Sequence, residues 1–395
     1  MAIRRFQCVI WLALFLAGCG TLQRTPYIAA DATRPNVLDL SDLRYFADDP
    51  GTRFQKLRPP VAIDGEISYL ALSGGGADGA FGAGVLTGLS EAGARPRFSA
   101  VSGVSTGALI APFAFLGPQY DGMLKELYTS GIAASLVEGQ GPLSILSTAG
   151  PFANNRLKQL VDRYVDDKLL RAIATESAKG RMLFVITTNL DTQRTNIWNM
   201  GKIAEVGTPQ ALQLFRNVLT ASASIPIVFP PVLIEAEANG RHFQEMHVDG
   251  GVTSPILTLP EAFLFRGGSL PGPPVHLYVL INNRIDHDFQ VVRGDTRAIA
   301  TRSASTLVKV QTRTTIFESY NFTRRHGLKF NLAYIGNDFA AAGADDFSTG
   351  YMRSLFQYGR QRARLRQVWV HQPPPEGPCA STPAADCGQQ RLAGF

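Results

Sequence analysis

Three short segments hold the residues best suited to acyl chemistry. Gly103-Val104-Ser105-Thr106-Gly107 sets a serine between two glycines, the small-neighbour setting that a nucleophile on a sharp strand-to-helix turn requires. Ser73-Gly74-Gly75-Gly76-Ala77-Asp78-Gly79 offers successive backbone N–H groups without Cβ interference. Such a nest can hold a phosphate or a developing oxyanion. Asp249-Gly250-Gly251 places a carboxylate at a strand end with two small neighbours. It can take a proton from a serine held within hydrogen-bond reach. Each segment also has a plain alternative. Ser105 could sit in a Gly-rich turn before a helix, and Asp249 in an Asp-Gly turn, with no chemistry in either.

A serine nucleophile usually works with a histidine. The chain has six: His242, His247, His276, His287, His326 and His371. None lies between glycines in a site-like setting, and His276 lies in an apolar run that suits a structural role. His247 would share a strand face with Asp249, two residues on, which makes it the candidate for a third member. The Gly-rich segment also fits Gly-X-Gly-X-X-Gly superficially. The ribose-binding carboxylate expected about twenty residues on is missing, since Ala94 to Ala100 contains no acid. No Gly-Lys-Ser/Thr loop follows either, so a nucleotide partner is set aside. No Cys/His spacing resembles a metal site, and no cofactor is expected.

These segments need a scaffold of alternating strands and helices. Strands are expected at Ile67–Leu72, Phe98–Val101, Arg181–Asn189, Val275–Ile281 and Leu328–Tyr334. Helices are expected at Ala80–Glu91, Thr106–Leu116, Pro209–Ala221, Arg297–Tyr320 and Ser348–Val368. The alternation predicts an α/β fold with a mainly parallel sheet covered on both faces. Ser105 would then stand at a helix N-terminus, whose partial positive charge favours an anionic oxygen.

The three segments, in this order, resemble the patatin-like phospholipase family. Its pattern is a Gly-rich oxyanion loop, a Gly-X-Ser-X-Gly elbow and an Asp-Gly-Gly/Ala dyad partner. A fourth stretch, Ala221-Ser222-Ala223-Ser224-Ile225-Pro226-Ile227-Val228-Phe229-Pro230-Pro231, resembles the family's Ala-Ser-X-Ala-X-Pro-X-X-Phe-X-Pro block, with Ser224 in place of an alanine. The resemblance implies a three-layer α/β/α fold, a Ser105–Asp249 dyad and calcium-independent lipid acyl hydrolysis. It also implies an oxyanion hole around Gly74, Gly75, Gly76 and Thr106. Two departures stand out. Asp78 occupies a position where the family often has a cation, and it is expected to point outward or cap the next helix. Ser254 precedes Pro255 where the family often has asparagine. The alternative function is that of an exported binding or assembly module that keeps the fold; Asp78 leans that way, Ser105 and Asp249 the other.

The ends of the chain set its compartment. Arg4 and Arg5 precede an apolar run from Cys8 to Ala17, too short to span a bilayer but suited to a signal peptide. Leu16-Ala17-Gly18-Cys19 resembles the lipobox of bacterial lipoproteins, implying cleavage before Cys19 and its lipidation; a single-pass anchor or an ordinary signal peptide is the alternative. Gly20 rather than Asp follows Cys19, which in a Gram-negative cell implies delivery to the outer membrane. Membrane lipids are then both anchor and substrate. The expected organisation is a signal over 1–18, a tether and N-terminal extension over 19–62, a catalytic domain over 63–370 and a Pro-rich tail over 371–395. Cys379 and Cys387 in that tail read as a local disulfide or two free thiols. The 395 residues are 45% hydrophobic and 18% charged, with a formal net charge of +6. That suits a globular domain, and without a dense Lys/Arg stripe in the first 340 residues it argues against nucleic acid. The segment from Gly131 to Ala153 is either a lid or a surface loop. The arginines 353, 360, 362, 364 and 366 face either lipid headgroups or solvent.

Overall fold

The apolar run Ile67–Leu72 forms strand β2 at the middle of the sheet and leads directly into the Gly-rich segment. It belongs to a computed structural model that describes residues 22–50, 59–136, 156–226, 228–258, 272–286, 289, 291–339 and 348–374. Cys19, Cys379, Cys387 and most of the segment from Gly131 to Ala153 lie outside these residues.

Parallel pairing builds the body of the sheet. Strand β2 pairs with β3 (Ala100–Val104) on one side and β8 (Val275–Leu280) on the other; β4 (Met182–Asn189) and β9 (Lys329–Ala333) extend the two ends. Beyond β4 the sheet changes direction. Strand β5 (Arg194–Asn199) returns antiparallel along β4, and β1 (Arg44–Phe46) adds itself to the edge of β5. A hairpin of β6 (Val232–Ala238) and β7 (Arg241–Asp249) joins the far end of β4 through Asn189↔His247 to Thr187↔Asp249. The hairpin turns on Asn239-Gly240, both with positive φ. That dipeptide suits a two-residue turn whose twist matches the strands.

Helices cover both faces, as expected for three layers. Strand side chains alternate, so Leu70 and Leu72 face one core while Ala71 faces another. On the first face lie α1 (Gly79–Glu91), α2 (Thr106–Leu116) and α9 (Thr349–Arg364), which bury Phe81, Phe115 and Phe356. Each such ring contributes about 1.5–3 kcal/mol of burial energy. The same core takes in α3 (Asp121–Thr129), α4 (Arg156–Tyr164), α5 (Asp167–Ala178), α6 (Met200–Val206) and α7 (Pro209–Ser222). The opposite face is covered by α8 (Thr296–His326), whose Ile316 packs with Leu277, Val279 and Leu332.

The expected strands and helices all occur, with shifted ends. Helix α8 runs on to His326 and stops at Gly327, left-handed at φ 69°. Helix α9 ends at Arg364. The arginines of α9 are engaged within the protein. Arg360 pairs with Glu91 and Arg362 with Asp338, while Arg353 donates to the carbonyl of Thr129. Arg364 lies 3.5 Å from Glu91, and Arg366 reaches the carbonyl of Ala92. These contacts hold the arginine side chains along the protein surface.

Residues 22–50 run along the antiparallel flank. Tyr27 stacks on Phe243 with ring centroids 4.4 Å apart. Arg44 forms a two-pronged, buried ion pair with Glu245 on β7.

Candidate active site

The chemistry gathers at the carboxyl ends of the parallel strands, where open α/β sheets form their crevices. Ser105 follows β3 and caps α2 with φ 55° and ψ −124°. A non-glycine residue there is strained and persists only when its surroundings hold it. Ser105 N–H donates to Ser222 Oγ at 3.1 Å, and Ser222 Oγ–H donates to the Ile186 carbonyl at 2.6 Å. Gly107 gives the elbow room, because a Cβ there would stand 2.6 Å from the carbonyls of Leu72 and Ser73.

Asp249 ends β7, and the Ser105 hydroxyl donates to its Oδ2 at 2.6 Å. Both residues are 5% exposed. Asp249 Oδ1 accepts the Gly251 N–H at 2.7 Å, and the Asp249 N–H donates to the Ser224 carbonyl at 3.0 Å. Burial pushes the carboxyl up to about 6, against the opposing pull of the hydrogen bonds from Ser105 and Gly251. It is a better base than a solvated aspartate and still mostly ionised at neutral pH.

His247 does not complete a triad. Its Nδ1 pairs with Thr187 Oγ1 at 2.9 Å and its Nε2 with Glu245 Oε2 at 3.2 Å, so neither ring nitrogen turns to Asp249. Trp198 Nε1–H donates to the same Thr187 oxygen, which leaves the threonine proton for Nδ1 and the imidazole proton on Nε2, facing Glu245. Burial pushes the His247 pKa down although Glu245 opposes it, so the ring stays neutral. Burial alone would raise Glu245; the Arg44 charge and the His247 hydrogen bond outweigh it and hold the carboxyl at about 2.

The Gly-rich loop lies against the nucleophile. A Cβ on Gly74 would stand 3.2 Å from the Ser105 Cβ. Gly74 itself is an unsuitable oxyanion donor, because its N–H is bound to the Pro255 carbonyl at 3.0 Å. Gly75, Gly76 and Thr106 carry no such competing bond among the described residues. Gly75 has φ 158°, and a Cβ there would meet the Asn282 carbonyl oxygen at 1.8 Å. Asp78 neither caps α1 nor points away. Its Oδ1 accepts the Tyr351 hydroxyl at 2.6 Å, tying the loop to α9.

Asn282 is a site residue that motif reading passed over. Fully buried just past β8, its N–H donates to Ser73 Oγ at 2.8 Å and its Nδ2–H to the Ser73 carbonyl at 2.9 Å. Its Oδ1 accepts the Gly82 N–H at 3.0 Å, so one side chain fixes both ends of the loop. The available signal was an amide ending an apolar parallel strand at the crevice edge.

An apolar recess opens beside Ser105. Leu109, Leu127, Leu157, Leu160, Ile225 and Phe229 line much of it, with Gly76 and Thr106 at the serine end. Among the described residues no cluster of three or more His, Cys, Asp or Glu could hold a metal ion.

A family model described as patatin-like phospholipase matches residues 70–260. An uncharacterized protein, R571, of Acanthamoeba polyphaga mimivirus is 27% identical over 197 residues. The match covers 49% of this chain and 61% of that protein, so the chain spans about three-fifths of its relative. The crystal structure of VipD from Legionella pneumophila aligns with 78% of this chain and 68% of its own, at 14% identity and a TM-score of 0.31.

Proposed function

We propose that this chain, whose residues 70–260 match the patatin-like phospholipase family model, hydrolyses carboxylic ester bonds of membrane lipids through Ser105 and Asp249. The observation that carries this reading is the 2.6 Å hydrogen bond from the Ser105 hydroxyl to a buried carboxylate.

In the proposed reaction Asp249 Oδ2 takes the hydroxyl proton as Ser105 Oγ attacks the ester carbonyl carbon. The carbonyl π pair moves to oxygen, and the N–H groups of Gly75, Gly76 and Thr106 hold the resulting oxyanion. Each donor of this kind lowers the barrier by roughly 3 kcal/mol. Collapse expels the alcohol, which takes the proton from Asp249. Water then attacks the acyl-enzyme, passes its proton to Asp249, and releases the fatty acid as Ser105 Oγ recovers that proton. The recess supports an acyl substrate, being apolar and open to the nucleophile.

Lipidation at Cys19 would hold this dyad beside its substrate, on the periplasmic face of a bacterial outer membrane. The support is the Leu16-Ala17-Gly18-Cys19 sequence. Labelled palmitate should enter the parent chain and not Cys19→Ser; incorporation into both would refute it. For the chemistry, a fluorophosphonate probe should label the parent chain and fail on Ser105→Ala. Equal labelling of a folded Ser105→Ala protein would overturn the assignment.

A further inference from the structure

Helix α8 is unevenly used. Its second half packs Ile316 and Phe322 into the protein, but its first half carries Ile299, Leu307 and Val310 at 52%, 72% and 55% exposure. At 100° per residue these three fall within one quadrant, on the other side of the helix from buried Thr312 and Ile316. The approach to the helix adds Val291, 81% exposed. From Arg293 to Arg313 the sequence holds five cations and one carboxylate, Asp295. Lys309 and Arg313 border one edge of the apolar stripe and reach backbone carbonyls, of Asp286 and Ile285. An apolar stripe bordered by cations is the pattern of a helix lying in a lipid–water interface.

The helix carrying this stripe reaches the segment that follows Asp249. Gln311 Nε2–H donates to the Thr253 carbonyl at 2.7 Å, four residues beyond Asp249, and Val252 beside it is 47% exposed. No helix among the described residues is long and apolar enough to cross a membrane; α8 is suited to lie on one.

We infer that the first half of α8, with Val252, seats the protein on an anionic phospholipid surface and turns the Ser105 site toward it. The cations complement anionic headgroups, and the stripe enters the acyl boundary. The inference rests on the lipid-hydrolase reading for its purpose but not for its test.

The test places a reporter on the stripe of the full chain. In Leu307→Trp, the added emission should shift to the blue and be quenched by brominated acyl chains in vesicles of phosphatidylglycerol and phosphatidylcholine. It should respond weakly to pure phosphatidylcholine. In parallel, Leu307→Glu/Val310→Glu should lose about ten-fold or more of the rate on anionic vesicles while cleaving a soluble short-chain p-nitrophenyl ester at the parent rate. Unquenched emission in anionic vesicles would overturn the proposal. So would an emission already blue-shifted without lipid, which means that another part of the chain or a second copy covers the stripe. Vesicle hydrolysis at the parent rate by the double variant would count equally against it. If no ester of any kind is cleaved, the hydrolase reading fails, yet quenching still decides the docking.

Discussion

Asn282 and Ser73 hold each other by two hydrogen bonds, from the Asn282 N–H to Ser73 Oγ and from Asn282 Nδ2 to the Ser73 carbonyl. The loop that follows Ser73 depends on this clasp for its shape. Asn282→Ala should slow ester hydrolysis by about a hundred-fold, the scale of a lost oxyanion donor, with the loss mainly in kcat. Steady-state kinetics on a soluble ester measures it, and an unchanged kcat would refute the clasp's role.

Gly75→Ala should be at least as damaging, because its new Cβ would collide with backbone rather than with a movable side chain. Ser73→Ala keeps the backbone contacts and should cost less. The order of the three rates is the check.

Removal of either partner of the Ser105–Asp249 pair should lower turnover by roughly a thousand-fold or more. Ser105→Ala should leave the circular dichroism and melting temperature near those of the parent chain. Turnover by Asp249→Asn within ten-fold of the parent would assign the base elsewhere.

Asp249 also sets a pH dependence. It must be ionised to accept the proton, so kcat/KM should fall about ten-fold per unit as pH drops below about 6. Stability moves the other way. The folded pKa lies above the unfolded one, so the folded state binds more protons between about 4 and 6, and stability declines as pH rises through that window. Above it, the buried charge costs on the order of 2–3 kcal/mol. Asp249→Asn should therefore melt at a higher temperature than the parent at pH 8, with the gap closing near pH 4; calorimetry at the two pH values decides it.

The Arg44–Glu245 pair should be costly to break on one side. Arg44→Met leaves a buried carboxylate without its cation, a loss of about 3–5 kcal/mol. Arg44→Met/Glu245→Leu removes both charges and should recover part of that. Urea unfolding of the two variants gives the comparison, and equal losses would show that the pair's charges do not matter.

The nucleophile half of the site was legible because its determinants are local. The strand Ala100–Val104, the elbow and the helix Thr106–Leu116 occupy seventeen consecutive residues, and the flanking glycines announce the turn. The base half was legible only as a motif. Strand β7 carries Arg241, His242, Gln244 and Glu245 among its apolar residues, which hides a strand from periodicity alone. The Arg44–Glu245 pair joins residues 201 apart, and Asn282 reaches Gly82 over a separation of 200. No local pattern encodes such partners. Asp78 misled for the same reason, because its acceptor role depends on Tyr351, 273 positions away.

The direction change in the sheet has a consequence for when the chain becomes reactive. Ser105 leaves a parallel strand and Asp249 ends an antiparallel one, 144 residues later. Contacts at that separation close slowly, since the entropy of the intervening loop must be overcome before they form. Asn282, which shapes the Gly-rich loop, lies further still along the chain. A nascent chain therefore carries its serine without a base and without a shaped donor loop. On the proposed hydrolase reading, ester cleavage becomes possible only once these distant segments have met.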